Sequence, residues 1–351
     1  MAEGSNLVGV DIGSSSIKIC QLRDSRKGLE LVRLGYAPLP AQTIVDGHVM
    51  NSGAVVETLS RLFQDRKIKQ RDVAMSVSGQ SVIIRKITVP MMTPAELAEQ
   101  IQWEAEQHIP FDIKDVQIDY EVLRRRPEAG QMDLLLVAAK KDEIQDYAQL
   151  ARDAKLRPQV VDIDAFTIQN IFEFSRGLPA DQTVALINVG ASLSTLNIVA
   201  RGVSTFTRDI ANGGNLISDE IRKRLGISFE QAEDFKCGRA EAGAPPFQVA
   251  QVMESVIDSI AGEIQRSLDF FMATSGEAEI SRIFLMGGTA RIALLPQAIE
   301  RRARVAVEVF SPVEKIAVDS ASVDPAALSG VSSQLAVSLG LAMRKDREKR
   351  S

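Results

Sequence analysis

A strand–turn–strand pattern occurs twice in this chain, and few folds accommodate it. Leu7 to Leu22 reads as a β-hairpin: the run Leu-Val-Gly-Val-Asp-Ile, a Gly13-Ser14-Ser15-Ser16 turn, then Ile17-Lys18-Ile19-Cys20-Gln21-Leu22 alternating. A second unit begins at Val184 with Val-Ala-Leu-Ile-Asn-Val, turns at Gly190-Ala191-Ser192-Leu193-Ser194, and returns along Thr195-Leu196-Asn197-Ile198-Val199. Overlaid, Asp11 falls on Asn188, Gly13 on Gly190, Lys18 on Thr195 and Ile19 on Leu196, a constant offset of 177 residues. A period that long points to duplicated domains rather than a solenoid, with two unrelated hairpins as the alternative. The chain has 351 residues, enough for two domains at roughly 100–200 residues each.

Other elements are legible between the hairpins. Ala54 to Arg66 is an amphipathic helix with Val55, Leu59, Leu62 and Phe63 on one face. Val73 to Val77 and Val82 to Val89 alternate like strands. Thr93-Pro94-Ala95-Glu96 forms a capping box with proline at the first helical position. The helix it opens carries Leu97, Ile101, Ala105 and Ile109 at fourfold spacing and ends at Pro110. Strands at Val116 to Leu123 and Asp133 to Ala138 follow, joined by the polar tip Arg124 to Gly130. A helix from Asp142 to Ala154 and a strand at Val160-Val161 complete an expected αββαβ insert over roughly 88–158. Further on, helices are expected at Gly214 to Leu225, Val249 to Phe271 and Leu335 to Arg344. A buried strand, Ile283 to Met286, runs into Gly287-Gly288-Thr289-Ala290.

Three turns could carry chemistry. A Gly/Ser turn lets backbone N–H groups approach an anion closely. Lys18 would add a point charge for phosphate oxygens, and Asp11 could hold waters on Mg²⁺. The first turn is also readable as a tight hairpin with an exposed lysine. The second, Asn188 to Ser192, has the same design and would grip phosphates from the opposite side. The diglycine at Gly287-Gly288 would let a base or ribose lie on backbone, with a helix N-terminus facing phosphate; an ordinary strand–helix connection is the alternative. No Walker P-loop and no Gly-x-Gly-x-x-Gly after a strand occurs.

In order and spacing, the three turns resemble the phosphate-1, phosphate-2 and adenosine motifs of the actin-like ATPase superfamily. The segments from Ile163 through Phe172 and from Ala336 to Ala342 look like its two connecting helices. Within the superfamily, Trp103-Glu104-Ala105-Glu106-Gln107-His108-Ile109-Pro110-Phe111, Asp119-Tyr120-Glu121-Val122, Gly213-Gly214-Asn215 and Glu263 to Phe271 are similar to the PilM family of type IV pilus machines. The resemblance covers nearly the whole chain. It implies an α/β, two-lobed, ribonuclease H-like fold, with subdomain 1A over 1–87, 159–178 and 335–351 and an inserted subdomain 1C over 88–158. Subdomain 2A would take 179–213 and 283–334, and 2B would take 214–282.

Roles implied by the resemblance fall on particular residues. Asp11, Gly13, Ser14, Ser15 and Lys18 would line the β/γ-phosphates of ATP or ADP, with Gly190, Ala191 and Ser192 opposite. Gly213 and Gly214 would bring backbone near the nucleotide, and Gly287 and Gly288 would flank adenosine. Glu233 and Lys236 would contact ribose and base; an exposed i, i+3 helical pair is the alternative. Asp11 and Asn188 would hold Mg²⁺ through water, and Asp164 would position the attacking water. Asn188 departs from the family's usual Asp, which predicts retained binding but slow or absent hydrolysis. The implied partner is the N-terminal cytoplasmic segment of PilN, in a groove between 1A and 1C around Trp103 to Phe111. Cytoplasmic pilus ATPases and a homo-oligomer or ring belong to the same expectation. An FtsA-like polymerising ATPase or a small-molecule kinase of the superfamily are the competing functions.

Composition narrows the classes. A net charge of −5, from 41 Lys+Arg against 46 Asp+Glu, gives no electrostatic reason to expect nucleic-acid binding. Two cysteines and two histidines cannot make a disulfide framework or a Cys/His metal cluster. The start Met-Ala-Glu-Gly-Ser-Asn lacks a signal sequence's basic and apolar segments. The most apolar run, Thr183 to Ala200, is interrupted by Asn188, Ser192, Ser194 and Asn197. A cytoplasmic protein is expected, and the resemblance implies that it meets a bacterial inner membrane only through partners. Cys20 and Cys237 read as small buried or half-buried residues, and Trp103 as a core or groove residue. The Arg124-Arg125-Arg126 run reads as a solvated hairpin tip or a contact for an acidic partner. The basic tail Arg344 to Arg350 reads as a frayed helix end, or as a segment drawn to a membrane surface.

Overall fold

The computed structural model describes residues 4–26, 28–45, 47–178, 181–239, 247–276 and 279–346. The first lobe begins with an antiparallel meander, β1 (Val8–Ile12), β2 (Ser16–Ser25) and β3 (Gly28–Pro38). A small hairpin follows, β4 (Ile44–Val45) with β5 (His48–Val49), and then α1 (Ser52–Asp65), whose N-terminus is capped by the Asn51 side chain. Strand β6 (Asp72–Val77) pairs parallel to β1.

Next comes a separate three-stranded sheet in the order β7-β9-β8, built from β7 (Val82–Pro90), β8 (Val116–Arg126) and β9 (Gln131–Lys140). Helix α2 (Pro94–Glu106) covers one face of it, burying Leu97, Ile101 and Ala105. Its capping box forms as expected, with Thr93 and Glu96 bonding reciprocally.

The chain then returns to the first sheet through α3 (Lys141–Asp153) and β10 (Arg157–Ile163), which pairs parallel to β6. This corrects the expected αββαβ insert. The extra sheet starts at Val82, while α3 and β10 belong with the six-stranded sheet, where Tyr147, Leu150 and Ala151 pack beside Val8 and Val10. The arginine run also differs from a loose tip: β8 continues through Arg126, whose guanidinium is paired with the buried Asp133.

Helix α4 (Asp164–Arg176) leads to the second lobe: β11 (Thr183–Val189), β12 (Ser194–Ala200), β13 (Val203–Ile210), α5 (Gly214–Leu225), α6 (Phe229–Lys236), α7 (Phe247–Ser275), β14 (Ile280–Met286), α8 (Leu294–Ala303) and β15 (Val307–Val309). The chain ends with β16 (Ala317–Val318), α9 (Pro325–Val331) and α10 (Ala336–Ala342). The large sheets run β10-β6-β1-β2-β3-β16 and β13-β12-β11-β14-β15. Apart from β16 they share one plan, a three-stranded meander with two parallel strands beside its first member. The hairpin repeat is therefore part of a repeated sheet.

The six-stranded sheet is buried on both faces. Val8 and Val10 meet α1 and α3, whereas Leu7 and Cys20 meet α4 and α10. Small residues let α10 sit against backbone: a Cβ on Gly9 would collide with Ser338 and Ala342 of α10, and one on Gly340 would collide with the Thr167 backbone of α4. One core joins the lobes, with the Phe172 ring of α4 tilted against Phe284 at 4.6 Å and edge-on to Phe310 at 5.2 Å. Among the described residues no single helix is long and apolar enough to cross a membrane. Of the basic tail, Lys345 pairs with Asp24, and 347–350 lie outside the described residues.

Candidate functional site

The two hairpin turns face each other across a cleft of about 1100 Å³ between the lobes. Ser14, Ser15 and Lys18 reach it from one side, and Gly190, Ala191 and Ser192 from the other. Each turn is shaped by its own backbone: the Gly13 N–H donates to the Ser16 carbonyl at 3.1 Å, and that of Gly190 to the Leu193 carbonyl at 2.9 Å. The amides of Ser14, Ser15, Ala191 and Ser192 have no hydrogen-bond partner among the described residues. Four free donors, two from each lobe, are what a polyanion between the lobes requires. Lys18 lies within 3.3 Å of Asp11, and a Cβ on Gly13 would come within 3.0 Å of the Lys18 ammonium. Glycine at 13 therefore leaves the ammonium its place.

The second wall is packed backbone on backbone. The Gly214 N–H donates to the Gly190 carbonyl at 3.0 Å, and the Thr289 hydroxyl to the same carbonyl at 2.8 Å. A Cβ on Gly213 would sit 2.5 Å from the Ala191 carbonyl oxygen. Gly287 has φ +96°, and a Cβ there would collide with Val189 and approach the Asn188 Oδ1 to 2.8 Å. Gly213 and Gly288 line the cleft, while Gly214 and Gly287 support its wall. The diglycine leads into a short 3₁₀ turn, Thr289–Arg291, and α8 begins only at Leu294. No α-helix N-terminus follows it directly, a correction to the sequence expectation.

Glu233 and Lys236 reach the same cleft from α6. They are not an exposed surface pair. The Lys236 side chain is only 9% exposed; its ammonium pairs with Glu233 and donates to the Gly214 carbonyl at 3.2 Å. The Ser218 hydroxyl donates to Glu233 at 2.5 Å. Cys237, expected to be buried or half-buried, is exposed and lines this end of the cleft. Cys20 is fully buried, and burial pushes its thiol up to about 12. Trp103 is 62% exposed on α2 and is not a core residue.

Asp164, the first residue of α4, is not among the residues that line the cleft. Ser76 donates to it at 2.5 Å, and Asp11 and Asp209 act on it electrostatically. Burial, then the Asp11 charge, raises its pKa to about 7, against the lowering effect of the Ser76 and Ser78 hydroxyls. Asp209 on β13 is a buried carboxylate that sequence reasoning missed. Burial pushes its pKa up, while the Gly79 N–H and the Thr195 hydroxyl favour its charged form. Among the described residues no three His, Cys, Asp or Glu side chains are grouped to hold a metal directly. A cation here would depend on waters held by Asp11 and Asn188 and on ligand oxygens.

The raised Asp164 pKa fixes a pH dependence. Between the unfolded carboxyl's value of 3.8 and about 7, the folded chain holds a proton that the unfolded chain has released. The resulting stability is complete below the lower value and is lost as pH rises through the upper one. Asp164→Asn keeps the shape without the charge. It should raise stability by about 4 kcal/mol at pH 8 and change little at pH 4. Urea midpoints at both pH values measure this; an equal shift at the two would contradict it.

A family model described as "Type IV pilus assembly protein PilM" matches residues 9–346. Among solved structures, the chain is similar to one described as "PilM-PilN type IV pilus biogenesis complex", with 25% identity and a TM-score of 0.87, covering 99% of this chain and 100% of that one. More distant is the ethanolamine utilization protein EutJ from Carboxydothermus hydrogenoformans, at 14% identity and TM-score 0.57, covering 96% of this chain and 89% of that one. A diol dehydratase-reactivating factor in nucleotide free form gives 11% identity and TM-score 0.55, covering 96% and 99%. The last two likenesses are of fold alone.

Proposed function

Because the chain belongs to the PilM family of type IV pilus assembly proteins, with an actin-like two-lobed fold, we propose that it is an ATP-binding adaptor of that machine. The observation that carries the nucleotide half is the convergence of four free turn amides and Lys18 on one cleft between the lobes. A triphosphate there would bind both lobes at once, and any ligand that prefers one lobe angle shifts the population towards it. Glu233 and Lys236 would take the ribose and base, and Gly288 would lie under adenosine. Mg²⁺, held through waters by Asp11 and Asn188, would neutralise phosphate charge.

The partner half rests on the relative described as a PilM-PilN complex. The N-terminal cytoplasmic segment of PilN would dock between the six-stranded sheet (subdomain 1A) and the three-stranded sheet with α2 (subdomain 1C), near Trp103 to Phe111. The five-stranded sheet would be 2A, and α5 to α7 would form 2B. The chain would then sit on the cytoplasmic side of the inner membrane, held there by its partner.

Hydrolysis would be slow, because the phosphate-2 turn presents the neutral Asn188 where a carboxylate would hold metal-bound water. Phosphoryl transfer depends on such positioning. A single-turnover assay with labelled ATP tests this: Asn188→Asp should raise the hydrolysis rate about tenfold or more over the parent chain. Brisk hydrolysis in the parent, unchanged by the substitution, would overturn it.

A further inference from the structure

The loop between β6 and β7 is held at two points, one on each lobe. Just before it, Ser76 of β6 donates its hydroxyl to Asp164, which opens α4 of the first lobe. Three residues later, the N–H of Gly79 donates to a carboxylate oxygen of Asp209 at 2.5 Å. Asp209 belongs to β13, the edge strand of the second lobe's sheet. Gly79 has φ +90° with open space around it, so the turn itself favours glycine there and aims its N–H across the lobe boundary. Val82, three residues further on, begins β7, an edge strand of the three-stranded sheet, and β7 lies beside β13.

We infer that Asp209 is a positioning residue that fastens the base of the three-stranded sheet to the second lobe, so that this sheet follows the second lobe when the angle between lobes changes. The covalent connections of the sheet, through Ser81 and through Lys140 into α3, both lead to the first lobe. Without the Gly79–Asp209 bond, the base of the sheet would meet the second lobe through the packing of β7 beside β13 and would lose its charge-assisted tie. A hydrogen bond to a buried carboxylate is stronger than one between neutral groups, and losing it leaves the Gly79 N–H without an acceptor. The segment 76–79 is therefore tied at one end to Asp164 of the first lobe and at the other to Asp209 of the second. The consequence for partner docking rests on the nucleotide and PilN reading above: closure around a nucleotide would reach the proposed groove through this bond.

Amide hydrogen exchange on the full chain tests the inference in two arms. Without nucleotide, Asp209→Ala should speed exchange over 79–84 about tenfold while β11 and β14 keep their parental rates. Asp209→Asn, whose side-chain oxygen can still accept the Gly79 N–H, should stay within about threefold of the parent. If alanine loosens the whole of β13, Asp209→Ser, too short to reach Gly79 but still polar beside Thr195, makes the same comparison. In the second arm, Mg·ATP should slow exchange both at 13–16 and across 82–90 in the parent, but only at 13–16 in Asp209→Ala. Unchanged exchange at 79–84 in the first arm, or nucleotide protection of β7 that survives Asp209→Ala, overturns the inference. If ATP slows nothing in the parent, the nucleotide reading fails, and the first arm alone decides the role of Asp209.

Discussion

Lys18→Ala should weaken ATP binding about 100-fold, the largest loss expected from a single cleft substitution. The Lys18 side chain is only 12% exposed and its ammonium sits 3.3 Å from Asp11, at the foot of the turn that supplies two free amides. A charge-assisted bond is worth up to about 3 kcal/mol, and each 1.4 kcal/mol is a factor of ten. The loss has a second source, because Asp11, deprived of its counter-charge, would face the phosphates as a like charge. Lys18→Arg should recover only part of the affinity, since the broader guanidinium does not fit the space that Gly13 leaves for an ammonium. Calorimetric titration with ATP measures the effect, and an affinity within threefold of the parent would refute it. If nucleotide and partner binding are linked, the same variant should also weaken binding of a PilN N-terminal peptide measured with ATP present.

Gly340→Val should destabilise the whole chain by about 3–5 kcal/mol, read as a fall in the urea midpoint with little change in slope. The cause is local and severe. A Cβ at 340 would collide with the Thr167 backbone, which cannot rotate away as a flexible side chain would. Either α10 lifts off β1 or α4 bends, and both hold the core that contains Phe172, Phe284 and Phe310. A second glycine supplies the contrast. Gly330 lies inside α9 with open space where a Cβ would go. Gly330→Ala should therefore stabilise by about 0.5 kcal/mol, through helix propensity and a less flexible unfolded chain. Equal and small effects at the two positions would contradict the crowding at Gly340.

The hairpins were legible because a Gly/Ser turn between alternating strands is a local signal, and the capping box at Thr93 is another. Membership of sheets was not. Strand β10 joins β6, some 85 residues earlier in the chain at the Asp72–Arg157 pairing, and nothing in its own residues says so. Strands β3 and β13 were missed because charged residues such as Glu30, Arg33 and Arg208 blur their alternation. Trp103 could have been read correctly. It lies two residues from both Ile101 and Ala105, which on a helix puts it on the side opposite the buried stripe.

In the cleft, residue types at turns were visible, whereas burial was not. Asp164 entered the expected site only through a family resemblance, and Asp209 not at all, because one sequence does not mark which carboxylate will lose its water. Glu233 and Lys236 show the same limit. Their spacing permits a solvated pair, and only the approach of α6 to Gly214 and Ser218 makes them part of the cleft wall.

The contact between Gly340 and Thr167 also limits how the molecule can move. Where two helices meet through interlocking side chains, they can slide by small rotamer changes, giving shear. Where they meet through backbone, there is no deformable layer, and the crossing acts as a pivot. Gly9 adds a second such point, where β1 meets the same helix. Domain rotation would then leave the shared aromatic core nearly still while the rims of the cleft travel farthest: a turn of about 10° carries atoms 20 Å from the pivot by about 3.5 Å. The two turns with their free amides face each other across the cleft. A small change in the length of what they grip, such as one phosphate, becomes a large displacement at the far edge of each lobe.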